Sequence, residues 1–284
     1  MANVTTSRTW FITGASTGFG RILAEEVLKG GGKVMATARK LDKIADLEQK
    51  YPGKARAFAL DVTDPAQILS IVAQTLTTFG PVDVLVNNAG YGLAGGIEEA
   101  SEEEFMPVFE TNLFGLIRVT RAFLPHFRNQ RSGNIVNLSS IGGLTGLPGW
   151  GYYNASKFAV EGFSEALATE LAPLGIHVTI VEPGPFRTDF LGRSGVEAKE
   201  RIADYDATAG KTRQYFHDQA GKQPGDPLRA VHAIIQAAES PQPPLHLLLG
   251  ALALQRMRGK LDQWKSEMDA WQSTTLGADF PEGE

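Results

Sequence analysis

A glycine-rich turn between a short apolar run and a helical repeat constrains this chain more than any other feature. Thr9-Trp-Phe-Ile-Thr13 has the length and composition of a buried strand. Thr13-Gly-Ala-Ser-Thr-Gly18-Phe-Gly20 follows it. Ile22, Leu23, Val27 and Leu28 then recur at helical spacing up to Gly30-Gly31-Gly32, a suitable C-terminal cap. Strand, glycine turn and helix in that order let the backbone approach a pyrophosphate, with the helix N-terminus facing the negative charge. The spacing is G-x-x-x-G-x-G, which differs from the general G-x-G-x-x-G fingerprint. Three glycines at one junction exceed what a plain turn needs. Gly14-Ala-Ser16-Thr-Gly18 also matches the G-x-S-x-G nucleophile elbow of hydrolases. That reading places the elbow after the first strand, lacks an HGGG-type stretch for an oxyanion hole, and leaves Gly20 without a use.

A second constellation lies far downstream. In Tyr153-Asn-Ala-Ser-Lys157 the tyrosine and lysine are four apart in a helical segment, after a Ser139-Ser140 pair. The i, i+4 spacing stacks both side chains on one face. An ammonium beside a phenol favours the phenolate and draws a pKa near ~10 toward neutrality. Tyr153 would then serve as a general acid or base.

Around these motifs strand-like and helix-like segments alternate. The strands are Lys33–Ala38, Ala55–Leu60, Val82–Asn87, Asn134–Leu138 and Ile176–Val181. The helices are Leu41–Lys50, Pro65–Phe79, a long one from the Ser101–Glu104 capping box to about Arg128 bent by Pro107, and Tyr152–Ala172. Repeated units of this kind give one α/β domain over residues 1–284, a Rossmann-type doubly wound parallel sheet with helices on both faces. From 185 to 227 the pattern loosens into a glycine- and aromatic-rich segment expected to be a lid or binding loop. A helix over 228–238 and a strand over 245–249 follow. The last helix, about 251–275, carries Leu254, Met257, Leu261, Trp264, Met268 and Trp271 at spacings of 3 and 4. Such a stripe is expected to pack on its own domain; a subunit interface in a homo-oligomer is the alternative.

The bulk properties exclude several classes. A net charge of −5 argues against nucleic acid as partner. No apolar run reaches the ~18 residues of a membrane span. The N-terminus has no apolar signal core, so a cytoplasmic protein is expected. Cysteine is absent, which removes disulfides, thiolate catalysis and cysteine-bound metals, and the five histidines show no ligand spacing. No metal is expected.

Four landmarks in order, T-G-x-x-x-G-x-G at Thr13–Gly20, N-N-A-G at Asn87–Gly90, Ser140 with Tyr153 and Lys157, and Pro183-Gly184, resemble the short-chain dehydrogenase/reductase family over about residues 8–190. The local sequence is similar to its steroid- and retinol-dehydrogenase subgroup. The resemblance implies a catalytic tetrad. Tyr153 exchanges the proton of the substrate oxygen, Lys157 lowers its pKa and holds the nicotinamide ribose, Ser140 orients the substrate oxygen, and Asn112 anchors a water of the proton relay. It also implies a dinucleotide seated on Gly14, Ser16, Thr17, Gly18, Phe19 and Gly20, with Asp61 and Val62 at the adenine. Asn88, Ala89 and Gly90 close the fourth strand beside it, and Pro183, Gly184, Phe186 and Thr188 meet the nicotinamide amide.

Charge bears on which dinucleotide binds. An acid at the end of the second strand accepts the ribose 2′-OH of NAD and repels the phosphate of NADP. Here Ala38 holds that place and Arg39 follows, a guanidinium suited to the phosphate. NADP is therefore expected in preference to NAD. Leu93, Leu144, Leu147, Trp150, Phe186, Phe190 and the lid aromatics suggest an apolar carbonyl or alcohol substrate. Two other readings remain. A sugar-nucleotide epimerase or dehydratase shares the Tyr/Lys pair but has a longer chain, a G-x-x-G-x-x-G turn and a substrate domain. An NADP(H)-binding sensor without turnover commonly lacks one tetrad member.

Overall fold

The computed structural model describes residues 5–192 and 194–280. The strands are β1 (Thr9–Ile12), β2 (Lys33–Ala38), β3 (Ala55–Ala59), β4 (Val84–Asn87), β5 (Gly92–Ala94), β6 (Gly133–Leu138), β7 (Ile176–Pro183), β8 (Gly195–Glu197) and β9 (His246–Leu249). The helices are α1 (Gly18–Lys29), α2 (Asp46–Lys50), α3 (Pro65–Phe79), α4 (Glu102–Phe109), α5 (Leu116–Gln130), α6 (Gly151–Leu171), α7 (Ala209–Gln219), α8 (Pro227–Glu239) and α9 (Ala251–Leu276). Seven strands form one parallel sheet in the order β3-β2-β1-β4-β6-β7-β9. The order reverses between β1 and β4, and ligands of such sheets bind beyond the strand ends at that crevice.

Both sheet faces are covered, so the strands read as nearly continuous apolar runs. Alternation divides β1 between the two cores. Trp10 and Ile12 pack with Leu23 and Val27 of α1 and Ile234 of α8. Phe11 points the other way, toward Phe123 and Phe127 of α5 and Leu167 of α6. Its ring lies 4.8 Å from that of Phe123. Each of these fully buried side chains stabilises the fold by about 1.5–3 kcal/mol.

Three expectations need correction. Residues 41–50 do not form one helix; a short 3-10 turn over Leu41–Lys43 precedes α2. Arg21 of α1 reaches across to Asp46 at 2.8 Å and to the Lys43 carbonyl at 3.3 Å, and this anchor sets where α2 begins. The long helix after the Ser101 capping box is interrupted by a turn of π-helix, Glu110–Gly115, three residues past Pro107. The 185–227 segment is more ordered than its composition suggests. It contains α7, and β8 pairs in parallel with β5 through Leu93–Val196, which ties it to the body. No helix among the described residues is long and apolar enough to cross a membrane.

Candidate active site

The loops leaving β1 and β4 are tied to each other. Thr13 Oγ1 donates to the Val86 carbonyl at 3.2 Å and accepts the backbone N–H groups of Asn88 at 2.9 Å and Ala89 at 3.0 Å. The Asn88 amide returns hydrogen bonds to the carbonyls of Thr13 at 2.9 Å and Gly14 at 3.0 Å. Such closeness requires glycine. Gly14 has φ +67°, and a Cβ there would lie 2.9 Å from Ala89 Cα. At Gly20 a Cβ would overlap the Asn88 amide and stand 2.5 Å from the Gly14 carbonyl. These two glycines thus serve the clamp between the loops.

The start of α1 faces the crevice with its donors free. Its N-cap, Thr17, makes no capping hydrogen bond, and the first turn holds no acidic residue. The leading N–H groups of a helix have no internal partner and attract an anion. A dinucleotide pyrophosphate fits this place.

The opposite wall comes from β6 and α6. Ser140 caps the turn after β6, where its Oγ accepts the Gly142 N–H at 3.0 Å and lies near enough to the Tyr153 phenol to favour its ionised form. Tyr153 and Lys157 stand one turn apart on the buried face of α6. With Ser140 they line a cavity of about 460 Å³ that also contains Thr17 and Gly18. The Trp150 and Phe190 rings lie 5.2 Å and 5.6 Å from the Tyr153 ring and hold it in place. Lys157 Nζ donates to the Leu138 carbonyl at 2.6 Å and lies 5.9 Å from the Tyr153 ring centroid.

The electrostatics depart from the expectation based on spacing. Burial pushes Tyr153 up to about 12, and Ser140 pulls the other way. Burial also lowers Lys157 to about 8, with the charge of Glu161 opposing the change.

Glu161 is itself part of a buried group. Burial raises it to about 7, a hydrogen bond from Ser139 opposes this, and the neighbouring Glu182 adds to it. Glu182 is raised as well, again mainly by burial, and His246 Nδ1 lies 2.6 Å from its Oε1. The folded state holds a proton on Glu161 that the unfolded chain releases above about pH 4.5. Stability is therefore full below pH 4.5 and falls as pH rises through 7. A shift from 4.5 to about 7 corresponds to at most about 3–4 kcal/mol. Glu161→Gln should remove the Glu161 share of this decline between pH 4.5 and 7, leaving the share of Glu182, over a range in which Lys157 stays largely protonated. Urea denaturation of both proteins across that range checks it; a stability difference that stays constant with pH would refute the assignment.

The structure distributes the expected site residues unevenly. Thr17, Gly18, Phe19, Asn88, Gly90, Pro183, Gly184, Phe186 and Thr188 line the same cavity as Ser140, Tyr153 and Lys157. Gly14, Ser16 and Ala89, in the clamped loops, and Gly20, in the first turn of α1, lie outside it. Arg39 is exposed just beyond β2. Its charge still reaches the Tyr91 phenol, which burial raises and Arg39 lowers. The Asp61 carboxylate is engaged by Thr63, at 2.9 Å to its N–H and 2.7 Å to its hydroxyl. Val62 is buried and faces Gly115. Asn112 sits in the π-turn, where its amide brackets Tyr91, accepting from N–H and donating to C=O at 2.9 Å each, and donates to Ser156 at 3.1 Å. A Cβ on Gly90 would stand 2.9 Å from Asn112 Oδ1 and 3.7 Å from Lys157 Nζ, so these side chains meet at one point.

Among the proposed apolar pocket residues, Leu147, Trp150, Phe186, Phe190 and Tyr215 line the cavity. Leu93 does not; it is buried beside Val108. Leu144 also lies outside, Phe216 packs 4.9 Å from Trp150, and Tyr205 reaches out to Glu98. Sequence reasoning missed Thr13, whose position at a strand end gave a usable hint. It also missed Gln223, 1 % exposed, whose amide lines the cavity with neither polar atom hydrogen-bonded. Only the return of the 185–227 segment over the cleft brings Gln223 there.

An uncapped helix N-terminus at a sheet switch point, faced by Ser140, Tyr153 and Lys157, defines a Rossmann-type oxidoreductase site. The model of the short chain dehydrogenase family matches residues 8–198, and the chain belongs to the short-chain dehydrogenase/reductase family. Oxidoreductase BOA17 of Botryotinia fuckeliana is 37% identical over 274 residues, 96% of this chain and 99% of that protein. Retinol dehydrogenase 8 of Homo sapiens is 39% identical over 255 residues, 84% of this chain and 80% of that one. The crystal structure of a short-chain dehydrogenase from Streptomyces avermitilis, 43% identical, superposes with a TM-score of 0.91 over 97% of this chain and 100% of that one. Further structural neighbours hold NAD (Burkholderia phymatum, 26% identical, TM-score 0.80, 94% and 97% covered) or NADP+ (a serine dehydrogenase, 27%, 0.74, 85% and 94%).

Proposed function

We propose that this oxidoreductase uses NADP(H) to interconvert a ketone or aldehyde and an alcohol on an apolar substrate, with Tyr153 as general acid and base. One observation carries the reading: Ser140, Tyr153 and Lys157 share a single cavity wall with the free N-terminus of α1 across from them. When bound, the nicotinamide supplies or accepts the hydride. The protein's own part is positioning and proton transfer. Ser140 and Tyr153 present two hydroxyls to one substrate oxygen. A phenol raised to about 12 is protonated at neutral pH, the form that donates to a carbonyl oxygen during reduction. Lys157, lowered to about 8, gains and loses its proton near physiological pH and reaches the ribose side of the site.

The substrate side is walled by Leu147, Trp150, Phe190 and Tyr215, which favours an apolar and ring-bearing molecule. Retinol dehydrogenase 8 among the relatives agrees with that class. NADP rather than NAD rests on Arg39 beyond Ala38, and a cytoplasmic setting is part of the same proposal. The test is turnover of purified protein with NADPH and NADH against ketones, steroids, retinoids and aldehydes. NADPH-linked reduction of apolar ketones or aldehydes is expected. Tight NADPH binding with no turnover across the panel would replace this reading with that of a sensor.

A further inference from the structure

The apolar stripe of α9 does not pack on its own domain. Every residue from 261 to 280 is exposed, so about 24 Å of helix stands clear of the body at 1.5 Å per residue. Leu261, Trp264, Met268 and Trp271 are 50%, 47%, 64% and 65% exposed. A free helix of this length is marginal in water, and its stability normally comes from burying one face.

We infer that this face is covered by α9 of a second copy of the chain, packed antiparallel across a two-fold axis. The order of the seam residues is the first argument. Leu254, Met257, Leu261, Trp264, Met268 and Trp271 are arranged symmetrically about the midpoint between Asp262 and Gln263. Antiparallel pairing then sets Leu254 against Trp271, Met257 against Met268 and Leu261 against Trp264 of the second copy, six layers in all. Each indole meets a leucine, so large and medium side chains interdigitate in four layers, and methionine meets methionine in the other two. A parallel pair would set indole against indole and leucine against leucine, with uneven layers.

Charge is the second argument. The first half of α9 carries Arg256, Arg258 and Lys260 with Asp262, and the second half carries Glu267 and Asp269 with Lys265. Antiparallel packing lays the basic half along the acidic half and brings Lys260 beside Glu267 of the copy. The other flank places Arg258 near Lys265, and both long stems can turn their charges to solvent. Opposed helix dipoles favour the same direction. The nearly balanced charge differs from the cation-rich polar face of a helix that lies on a membrane.

Area is the third. An indole side chain offers about 150–250 Å², and Trp264 leaves about half and Trp271 about two thirds of its own open. With the leucines and methionines of both copies, the pair reaches the roughly 1,000 Å² of a specific interface. The first turns of α9 contribute Leu252 and Arg256 to the catalytic cavity, so pairing would also steady one wall of the site.

Sedimentation equilibrium of the full chain against a Leu261→Glu/Trp264→Glu double variant tests the interface. The variant should have half the molar mass and should still bind NADPH; an unchanged mass would overturn the inference. The chain lacks cysteine, so Leu254→Cys and Trp271→Cys can be prepared separately and treated with a short bis-maleimide. Covalent dimers should form when the two variants are mixed and not when either is alone. Dimers of Leu254→Cys with itself would refute the antiparallel arrangement. Association with phosphatidylcholine/phosphatidylserine vesicles in place of self-association would assign the face to a membrane instead.

Discussion

Replacing Tyr153 with phenylalanine should lower turnover by about 10²–10⁴-fold, the usual contribution of a positioned acid or base, while NADPH binding stays within a few-fold of normal. The substitution removes one oxygen and keeps the ring between Trp150 and Phe190. Packing is unchanged and the fold should survive, which circular dichroism can verify. The lost group is the one proposed to exchange a proton with the substrate oxygen, so the effect should fall on kcat more than on KM. Ser140 remains, but an aliphatic hydroxyl has no means of delivering a proton near neutral pH. Steady-state kinetics with an apolar ketone, together with fluorescence titration of NADPH, decides the matter. Turnover within ten-fold of the parent protein would remove Tyr153 from the chemistry.

Arg39→Asp should reverse the order of the two dinucleotides. A charge-assisted hydrogen bond to a phosphate contributes about 1.5–3 kcal/mol, or roughly 10- to 150-fold in affinity. An aspartate adds repulsion of the 2′-phosphate and offers an acceptor to the 2′-OH of NADH. The ratio of NADPH to NADH affinity should therefore fall by about 10²–10³-fold. Arg39 is exposed and makes no side-chain hydrogen bond among the described residues, so its removal leaves none of their buried groups unpaired. Dissociation constants for both cofactors give the result directly. Equal weakening of NADPH and NADH would mean that Arg39 does not meet the phosphate, and the preference would need another source.

Much of the architecture was legible before any coordinates. Strands with both faces buried read as continuous apolar runs, and β1, β2, β4 and β6 lie within a residue or two of where those runs fall. Pro65 in a first turn and the Ser101–Glu104 box marked helix starts through local backbone geometry and hydrogen bonds, which need no tertiary partner. The legible parts share that locality. The 41–50 segment and the π-turn were misread because their form depends on distant groups: Arg21 at Asp46, and Asn112 bridging to Tyr91 and Ser156. The 185–227 segment looked irregular because its short strand exists only through pairing with β5.

The site divides along the same line. Spacing alone put Tyr153 and Lys157 on one face, and the glycines marked the strand-to-helix junction, because helical pitch and the absence of a Cβ are properties of the residues themselves. Which way the Lys157 ammonium turns is not such a property. The Leu138 carbonyl, which accepts from it at 2.6 Å, decides that, and burial in the folded chain pushes the phenol upward. Gln223 reached the cavity, and Glu161, Glu182 and His246 met at the sheet edge, through folding of segments far apart in the chain. The seam of α9 was likewise written in the sequence, but its exposure was not. Residue types and periods specify what a segment can do; solvation and the approach of remote groups, which arise only in the folded chain, set what it does.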